Sequence, residues 1–526
     1  MSNKILSKSK YLQGIQCPKL LWISVNAKER IPEVDEAQQK LFDEGHIVGE
    51  FAKKLFPGGI DIEDEDFKKN LDKTKELLKE NKPLFEPAFL IDRLYSRADI
   101  LEPLKDGKWN IIEVKSSTEV KDVNIQDVAF QKYVYEKAGL KINKCFLMHI
   151  NNQYVRQGEL NLSELFTKED ISINVAEEIK LVPERVKLFL GVIDGKEPSV
   201  KIGKQCDDPY ECPIKKECWS FLPKENSVFD LYRGGQRSWE LFDKNILSIK
   251  DIPESFKLGD KQKIQLECEK TGKVHINENA IKSFLKTLKY PLYFLDFETY
   301  QTAIPLYNGL KPYAQIPFQF SVHKVDEKEL SKSAHSSLDK TKGKKTHFSF
   351  IASGKQDPRK KFINAIKRKL GTKGSIIVYN QAFEQSRLKE IGEFFPLEKE
   401  AVTKLNERMI DLLIPFRNFD YYDRKQEGSA SIKYVLPALT GKTYEGMEIA
   451  NGGQASIGYA YITHGKVDGS KATKEEAKKV REDLKKYCAL DTEAMIMVLE
   501  KLKEVVKDSE TQKSCNGKEL KHSKLY

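Results

Sequence analysis

Residues 290–300 read YPLYFLDFETY. An apolar run this short, rich in aromatic residues and closed by a polar pair, marks a buried strand. A strand's period of two puts Asp296 and Glu298 on one face and Phe297 on the other. Ionised carboxylates at the end of such a strand are costly unless they hold a cation. Further acids follow in order. VYNQAFEQSRLKEIG runs from a strand into a helix start carrying Glu384, MIDLLIPFR carries Asp411, and YCALDTEAM sets Tyr487 and Asp491 at i, i+4 on one helix face.

This order (D-x-E, then N-x-x-F-E, then Y-x-x-x-D) resembles the DEDD 3′–5′ exonucleases of the ribonuclease-H-like fold. The resemblance implies metal ligation by Asp296, Glu298, Glu384 and Asp491, with Tyr487 orienting the attacking water. Two ions roughly 3.5–4 Å apart would serve water activation and departure of the leaving oxygen. Glu384 departs from the family, which has Asp there, so Asp411 is the other candidate for that position. Gln315, Gln319 and Lys433, in loop-like stretches between the motifs, are candidate phosphate contacts.

Upstream, residues 95–117 read YSRADILEPLKDGKWNIIEVKSS. Asp99 lies in one strand-like run, and the next places Glu113 and Lys115 on one face. Carboxylates from neighbouring strands form an oxygen cage suited to Mg²⁺ or Mn²⁺, and a nearby lysine can orient or deprotonate water or offset phosphate charge. The arrangement resembles the PD-(D/E)XK nuclease superfamily. Gln131 and Tyr135 in the following helix resemble the Q-x-x-x-Y motif of its RecB-like branch, where they would meet water or nucleic acid. His46, in EGHIVGEFAKKLF, falls where that branch often has a metal-binding histidine.

Of the eight cysteines, Cys206, Cys212 and Cys218 bunch in CDDPYECPIKKECW, with Cys17 far upstream in LQGIQCPKLLW. Clustered thiols in an intracellular chain point to soft-metal ligation before disulfides. One early and three late cysteines resemble the RecB-like nucleases with a four-iron four-sulfur cluster, of the AddB and CRISPR-associated types. There the cluster would join the domain's two ends. Five residues separate each late pair, wider than that family's usual first spacing, and zinc stays open as the alternative. Cys145, Cys268, Cys488 and Cys515 stand alone and read as buried or incidental thiols.

The layout expected is α/β throughout. A PD-(D/E)XK restriction-endonuclease-like domain covers 1–220, a helical linker region 221–285, a ribonuclease-H-like domain 286–508, and a polar tail 509–526. A lysine-rich insert is expected at about 326–346. The whole resembles a bacterial family joining a RecB-like nuclease to a DEDD-like domain. The net charge is +10, and residues 340–373 hold twelve Lys or Arg against the single acid Asp357, which suits a phosphate backbone. No apolar run is long enough to span a membrane, and the start lacks the apolar stretch of a signal peptide. These features imply a cytoplasmic metal-dependent nuclease, with DNA as the substrate expected by analogy. An RNA 3′–5′ exonuclease with a binding-only first domain stays open. So do a nucleic-acid-binding scaffold with decayed centres, which Glu384 invites, and a redox sensor governed by the cluster.

Overall fold

The computed structural model describes residues 4–62, 66–327, 346–466 and 469–522, with side chains to residue 507. The chain is mixed α/β and divides into two units. Unit 1 comprises Met1–Phe221 and Gln301–Ala314; unit 2 comprises Leu222–Tyr300 and Gln315–Tyr526. The stretch expected as a linker, 221–285, therefore falls almost wholly within unit 2, because its helices pack there. Nearly all of the expected lysine-rich insert lies outside the described residues. Among the described residues no helix is long and apolar enough to cross a membrane.

Unit 1 begins with helices α1 (Lys8–Gln16), α2 (Pro18–Asn26) and α3 (Glu36–Lys53). Its main sheet runs β1 (Ile60–Asp61), β2 (Leu84–Phe85), β3 (Ile100–Pro103), β4 (Trp109–Lys115), β5 (Ile142–Ile150) and β6 (Phe166–Asp170), side by side in that order. Strand β4 pairs antiparallel with β3 and parallel with β5. Its consecutive residues Ile111 and Ile112 are both fully buried, so both faces of the strand are covered. Helix α4 (Asp122–Lys137) carries Asp127, Gln131 and Tyr135 on successive turns of one face. Tyr11 of α1 stacks on Phe130 of α4 at 4.5 Å and meets Phe189 of α5 (Val182–Asp194) edge-on at 5.5 Å. A short parallel pairing of Leu6–Ser7 with Leu94–Tyr95 sets the start of α1 beside the strand that leads to Asp99. Ala303 and Ile304, from the second segment of unit 1, join the cluster around Val48, Phe56 and Ile112.

Unit 2 opens with helices α6 (Gln236–Asp243), α7 (Asp260–Thr271) and α8 (Glu278–Lys286). Its strands are β7 (Leu292–Tyr300), β8 (Ile316–Val325), β9 (Thr346–Ile351), β10 (Ile376–Val378) and β11 (Met409–Asp411), and the sheet order is β9-β8-β7-β10-β11. The central strand β7 pairs antiparallel with β8 and parallel with β10. The chain thus leaves β7 toward one side of the sheet and returns on the other, a switch point of the kind that leaves a crevice at a strand's carboxyl end. Asp296 lies midway along β7 and Glu298 two residues nearer that end, both past the residues that pair with β10.

Helix α9 (Arg359–Leu370) buries Phe362, Ile363, Ile366 and Leu370 and leaves Lys361, Arg368 and Lys369 exposed. Phe297 meets Phe362 edge-on at 4.9 Å, so the apolar side of β7 faces α9 and the acids face the other way. Helices α10 (Gln381–Phe394), α11 (Ile432–Thr440) and α12 (Gly452–His464) follow. The closing helix α13 (Lys474–His522) packs on β7 and β8 and continues into the stretch expected as a polar tail.

Leu295 is fully buried in the sheet-and-helix core of unit 2, whereas Leu397 is 93% exposed. Leu295→Ala should cost about 2–5 kcal/mol, and Leu397→Ala no more than about 0.5 kcal/mol. Thermal denaturation of the two variants checks this; equal midpoints would contradict the core assignment.

Candidate metal centres

In unit 1, Glu113 is the buried hub. Its Oε1 accepts from Lys8 Nζ at 2.8 Å and Lys115 Nζ at 2.6 Å, and its Oε2 accepts from Gln131 Nε2 at 2.7 Å. Asp127 completes the network. It accepts from Lys115 at 3.1 Å and from Gln131 at 3.0 Å, and Lys8 stands 3.6 Å away. Burial would raise the Glu113 carboxyl, but the charges of Lys115 and Lys8 outweigh it and hold the group below its ordinary range. Burial opposes the charge of Lys115 as well, yet Glu113, Asp127 and Asp99 keep it ammonium, well above the usual lysine value. In this arrangement Lys115 is suited to offset phosphate charge.

Asp99 sits in the bend one residue before β3, not in a strand, and its Oδ2 accepts from the Val114 N–H at 2.6 Å. Burial, then the nearby Glu113 charge, push its carboxyl up to about 7. Tyr135 differs from its expected role. Its hydroxyl donates to Pro87 O at 2.7 Å and accepts from the Ala98 N–H at 2.8 Å, so it anchors the backbone just before Asp99. His46 is exposed on α3 and belongs to no group of donors close enough to share an ion among the described residues.

The sequence pattern missed Lys8 and Asp127. Asp127 lies one helical turn before Gln131, a periodicity that could have found it. Lys8 is 105 positions from its partner, and nothing local signals that pairing.

The four thiols Cys17, Cys206, Cys212 and Cys218 line one pocket, together with Lys19, Lys201 and Lys215. Burial, with smaller effects from the neighbouring thiols, pushes Cys212 up to about 11. The chain's own bonds already join the two ends here. Gln16 Nε2 donates to Gln205 O at 2.9 Å and Tyr210 O at 2.7 Å, and Arg30 pairs with Glu197 and Glu217. No three of these sulfurs lie within 4.8 Å of one another. A tetrahedral zinc site with about 2.3 Å arms needs sulfur–sulfur edges of roughly 3.8 Å. Four thiols lining one pocket are a donor set of the kind soft metals take, and three lysines stand beside it. Cys145 and Cys268 are buried apart from this pocket, and Cys515 lies outside the described side chains.

In unit 2, donor atoms of Asp296, Glu298 and Cys488 all lie within 4.8 Å of one another. Asp491 accepts from Tyr444 Oη at 2.7 Å, and Tyr487 also hydrogen-bonds to it. Burial raises Asp491 to about 6 against the pull of those two hydroxyls and of Lys433. Asp296 is pushed well above its ordinary range by burial, then by Asp491, Glu298 and Glu384. Glu298 is raised likewise by burial and Asp491. Glu384 is 2% exposed, its Oε2 has no hydrogen-bond partner, and burial lifts its carboxyl up to about 8.

Asp411, the alternative to Glu384, accepts from the backbone N–H groups of Asn380 and Leu413, both at 3.0 Å. It holds the turn that starts α10, while Glu384 is the acid whose charge reaches Asp296 and Glu298. This crowd of buried acids, with one orphan oxygen, has the chemistry of a divalent-cation site. Tyr444 and Cys488 were not legible as members of it. Cys488 reads as an isolated thiol until the strand beneath α13 is known.

The basic stripe is partly neutralised. Arg359 pairs with Asp357, and Lys360 and Lys367 both pair with Glu398. Residues 340–345 of that stripe lie outside the described residues. Gln319 is fully buried and donates to Leu484 O at 2.7 Å, which makes it a brace for α13 and not a phosphate contact. Gln315 accepts from Thr299 at 2.5 Å. Lys433 donates to Ala450 O at 2.8 Å, and its charge pulls down Glu298 and Asp491.

A family model described as a domain of unknown function (DUF2779) matches residues 293–431, the stretch that carries Asp296, Glu298, Glu384 and Asp411. "Uncharacterized protein MG366" of Mycoplasma genitalium is 26% identical over 253 residues, covering 44% of this chain and 35% of that protein. "Uncharacterized protein UU173" of Ureaplasma parvum serovar 3 is 28% identical over 257 residues, covering 46% of this chain and 35% of that protein. The alignments thus span about a third of the length of these relatives. A solved structure described as "Crystal structure of SSO0001" is 14% identical, with a TM-score of 0.23, covering 42% of this chain and 89% of that one. A likeness that slight carries no argument.

Asp99 and Glu384, raised to about 7 and about 8, hold protons near neutrality in the metal-free protein. Their stabilising contribution is complete below the unfolded carboxyl values and is lost as pH rises through about 7 to 8. Ligation requires the charged form, so Mn²⁺ binding should release protons at pH 7 and tighten from pH 6 to 8. Calorimetry in buffers of different ionisation enthalpy checks this; a buffer-independent heat would contradict it.

Proposed function

We propose that the chain is a metal-dependent nuclease hydrolysing nucleic-acid phosphodiester bonds, with the principal centre in unit 2. The observation that carries this reading is the gathering of Asp296, Glu298, Glu384 and Asp491, from three separated stretches of sequence, into one group of interacting, largely buried acids. The position of Asp296 and Glu298 on the central strand of a mixed five-stranded sheet, past its pairing with β10, supports a ribonuclease-H-like, DEDD-type reading. Divalent ions held there would supply Lewis-acid charge to the phosphate and lower the pKa of an attacking water.

The chain's own groups divide the remaining work. Tyr487 is kept neutral by burial and by Asp491, Glu298 and Asp296, so its hydroxyl donates and orients and does not act as a base. Tyr444 donates to Asp491 Oδ1 and so fixes the carboxylate in place. Lys433, exposed at the start of α11, can meet the strand's phosphates on entry. In unit 1, Asp99, Glu113, Lys115 and Gln131 support a PD-(D/E)XK, RecB-like reading, with Cys17, Cys206, Cys212 and Cys218 holding an iron–sulfur cluster. DNA is the proposed substrate, by the resemblance of that unit to DNA-acting nucleases.

One observation favours a second reading, in which unit 1 binds and unit 2 cuts. Glu113 already accepts from Lys8, Lys115 and Gln131, so an ion there competes with three donors, two of them cationic.

Labelled single- and double-stranded DNA and RNA, incubated with Mn²⁺ and the anaerobically purified protein, test both readings. Cleavage should need the ion and fall by on the order of a hundredfold or more in Asp296→Ala, since even outer-shell changes at metal sites cost 10- to 100-fold. Full loss in Glu113→Ala alone would overturn the assignment of the main centre to unit 2. A colourless protein carrying stoichiometric zinc would end the cluster proposal.

A further inference from the structure

We infer that Cys488 is a metal ligand, and that with Asp296 and Glu298 it makes one position of the unit 2 centre selective for a borderline-soft dication of the zinc class. This deepens the nuclease reading above by naming the ion that the centre takes.

Three observations carry it. Cys488 is fully buried, and its Sγ lies 3.4 Å from Asp296 Oδ2. For zinc with arms of about 2.3 Å to sulfur and 2.0 Å to oxygen, a tetrahedral angle gives an S···O edge of roughly 3.5 Å. The thiol and carboxylate therefore already stand at ligand spacing. An octahedral Mg²⁺ site with about 2.1 Å arms wants oxygen neighbours roughly 3.0 Å apart and has no use for sulfur.

The thiol is also one of three donors within mutual reach of a single ion, the third being Glu298, which is 6% exposed. A fourth acid, Glu384, presents a buried Oε2 with no hydrogen-bond partner, and its charge reaches both Asp296 and Glu298. An unsatisfied buried oxygen beside three convergent donors points to a missing cation.

The address of the thiol on its helix gives the arrangement a chemical sense. Cys488 and Asp491 are three apart on α13, hence on the same side of one turn. Cys488 reaches Asp296 from there, while Asp491 is held by Tyr444. One helical turn therefore offers sulfur toward one position and oxygen toward the next. In the metal-free protein the S–H donates to the Asp296 carboxylate. On binding, the thiol proton passes to solvent and the sulfur lone pair forms the bond to the ion.

The test is spectroscopic and needs no nucleic acid. Metal-stripped full-length protein is titrated with Co²⁺, and the near-ultraviolet thiolate-to-cobalt charge-transfer absorption is recorded as the difference between wild type and Cys488→Ser. Every other thiol is common to both proteins and cancels. Asp296→Asn, with the thiol intact, is the second variant, and circular dichroism confirms folding of each.

The expected result is a difference band of one-to-one stoichiometry. It should be weakened in Asp296→Asn, erased by equimolar Zn²⁺ and unmoved by excess Mg²⁺. Zinc affinity should fall at least about tenfold in Cys488→Ser. Identical cobalt spectra for wild type and Cys488→Ser would overturn the inference, even if cleavage still depends on Asp296. A clear difference band in a protein that cleaves nothing would uphold the ligand and reject the nuclease reading.

Discussion

Buried negative charge is the constraint on which unit 2 depends. Asp296, Glu298, Glu384 and Asp491 are brought together on the inner side of β7 and its covering helices, where desolvation drives every one of them toward the neutral acid. The described residues place no cation in hydrogen-bonding contact with the four carboxylates; Lys433 acts on Glu298 and Asp491 from a distance while bonded to Ala450 O. With Lys433 acting only from a distance, these acids form a candidate site for an external counter-charge. Hydroxyls from Tyr444 and Tyr487 satisfy Asp491 without neutralising it, which preserves the demand for an ion.

Unit 1 meets the same electrostatic difficulty by another route. Lys8 and Lys115 converge on one oxygen of Glu113, with Asp127 and Gln131 closing the network. Two ammonium groups against three acids leave the cluster close to neutral, so it is stable without metal and less eager to take one. Tyr135 serves this centre indirectly, by pinning the peptide that precedes Asp99. The contrast between a self-neutralised centre and one that is not leads us to place the main catalytic role in unit 2.

Much of this was legible in the sequence where one element carried the signal. The run WNIIEVK reads as a central strand because Ile111 and Ile112 put apolar side chains on both faces before the charged end, and LYFLDFETY shows its polarity by alternation. The part Asp411 plays was not legible there, because its oxygen accepts from Asn380 and Leu413, a turn geometry no spacing announces. Lys8 and Tyr444 were invisible for a similar reason. Each joins its acid through tertiary pairing of segments 105 and 47 positions apart. Cys488 looked incidental because a thiol on a helix gains meaning only from the strand beneath it. His46 matches a motif position, and its side chain is exposed on α3.

The central claim is that scattered acids form cation-binding centres, above all in unit 2. Anomalous diffraction from crystals of the full chain soaked in Mn²⁺ tests it most directly. The account predicts an anomalous peak within ligand distance of Asp296 and Glu298, and a weaker one or none beside Glu113. A peak confined to the Glu113 cluster, or no peak within reach of either carboxylate set, would contradict it.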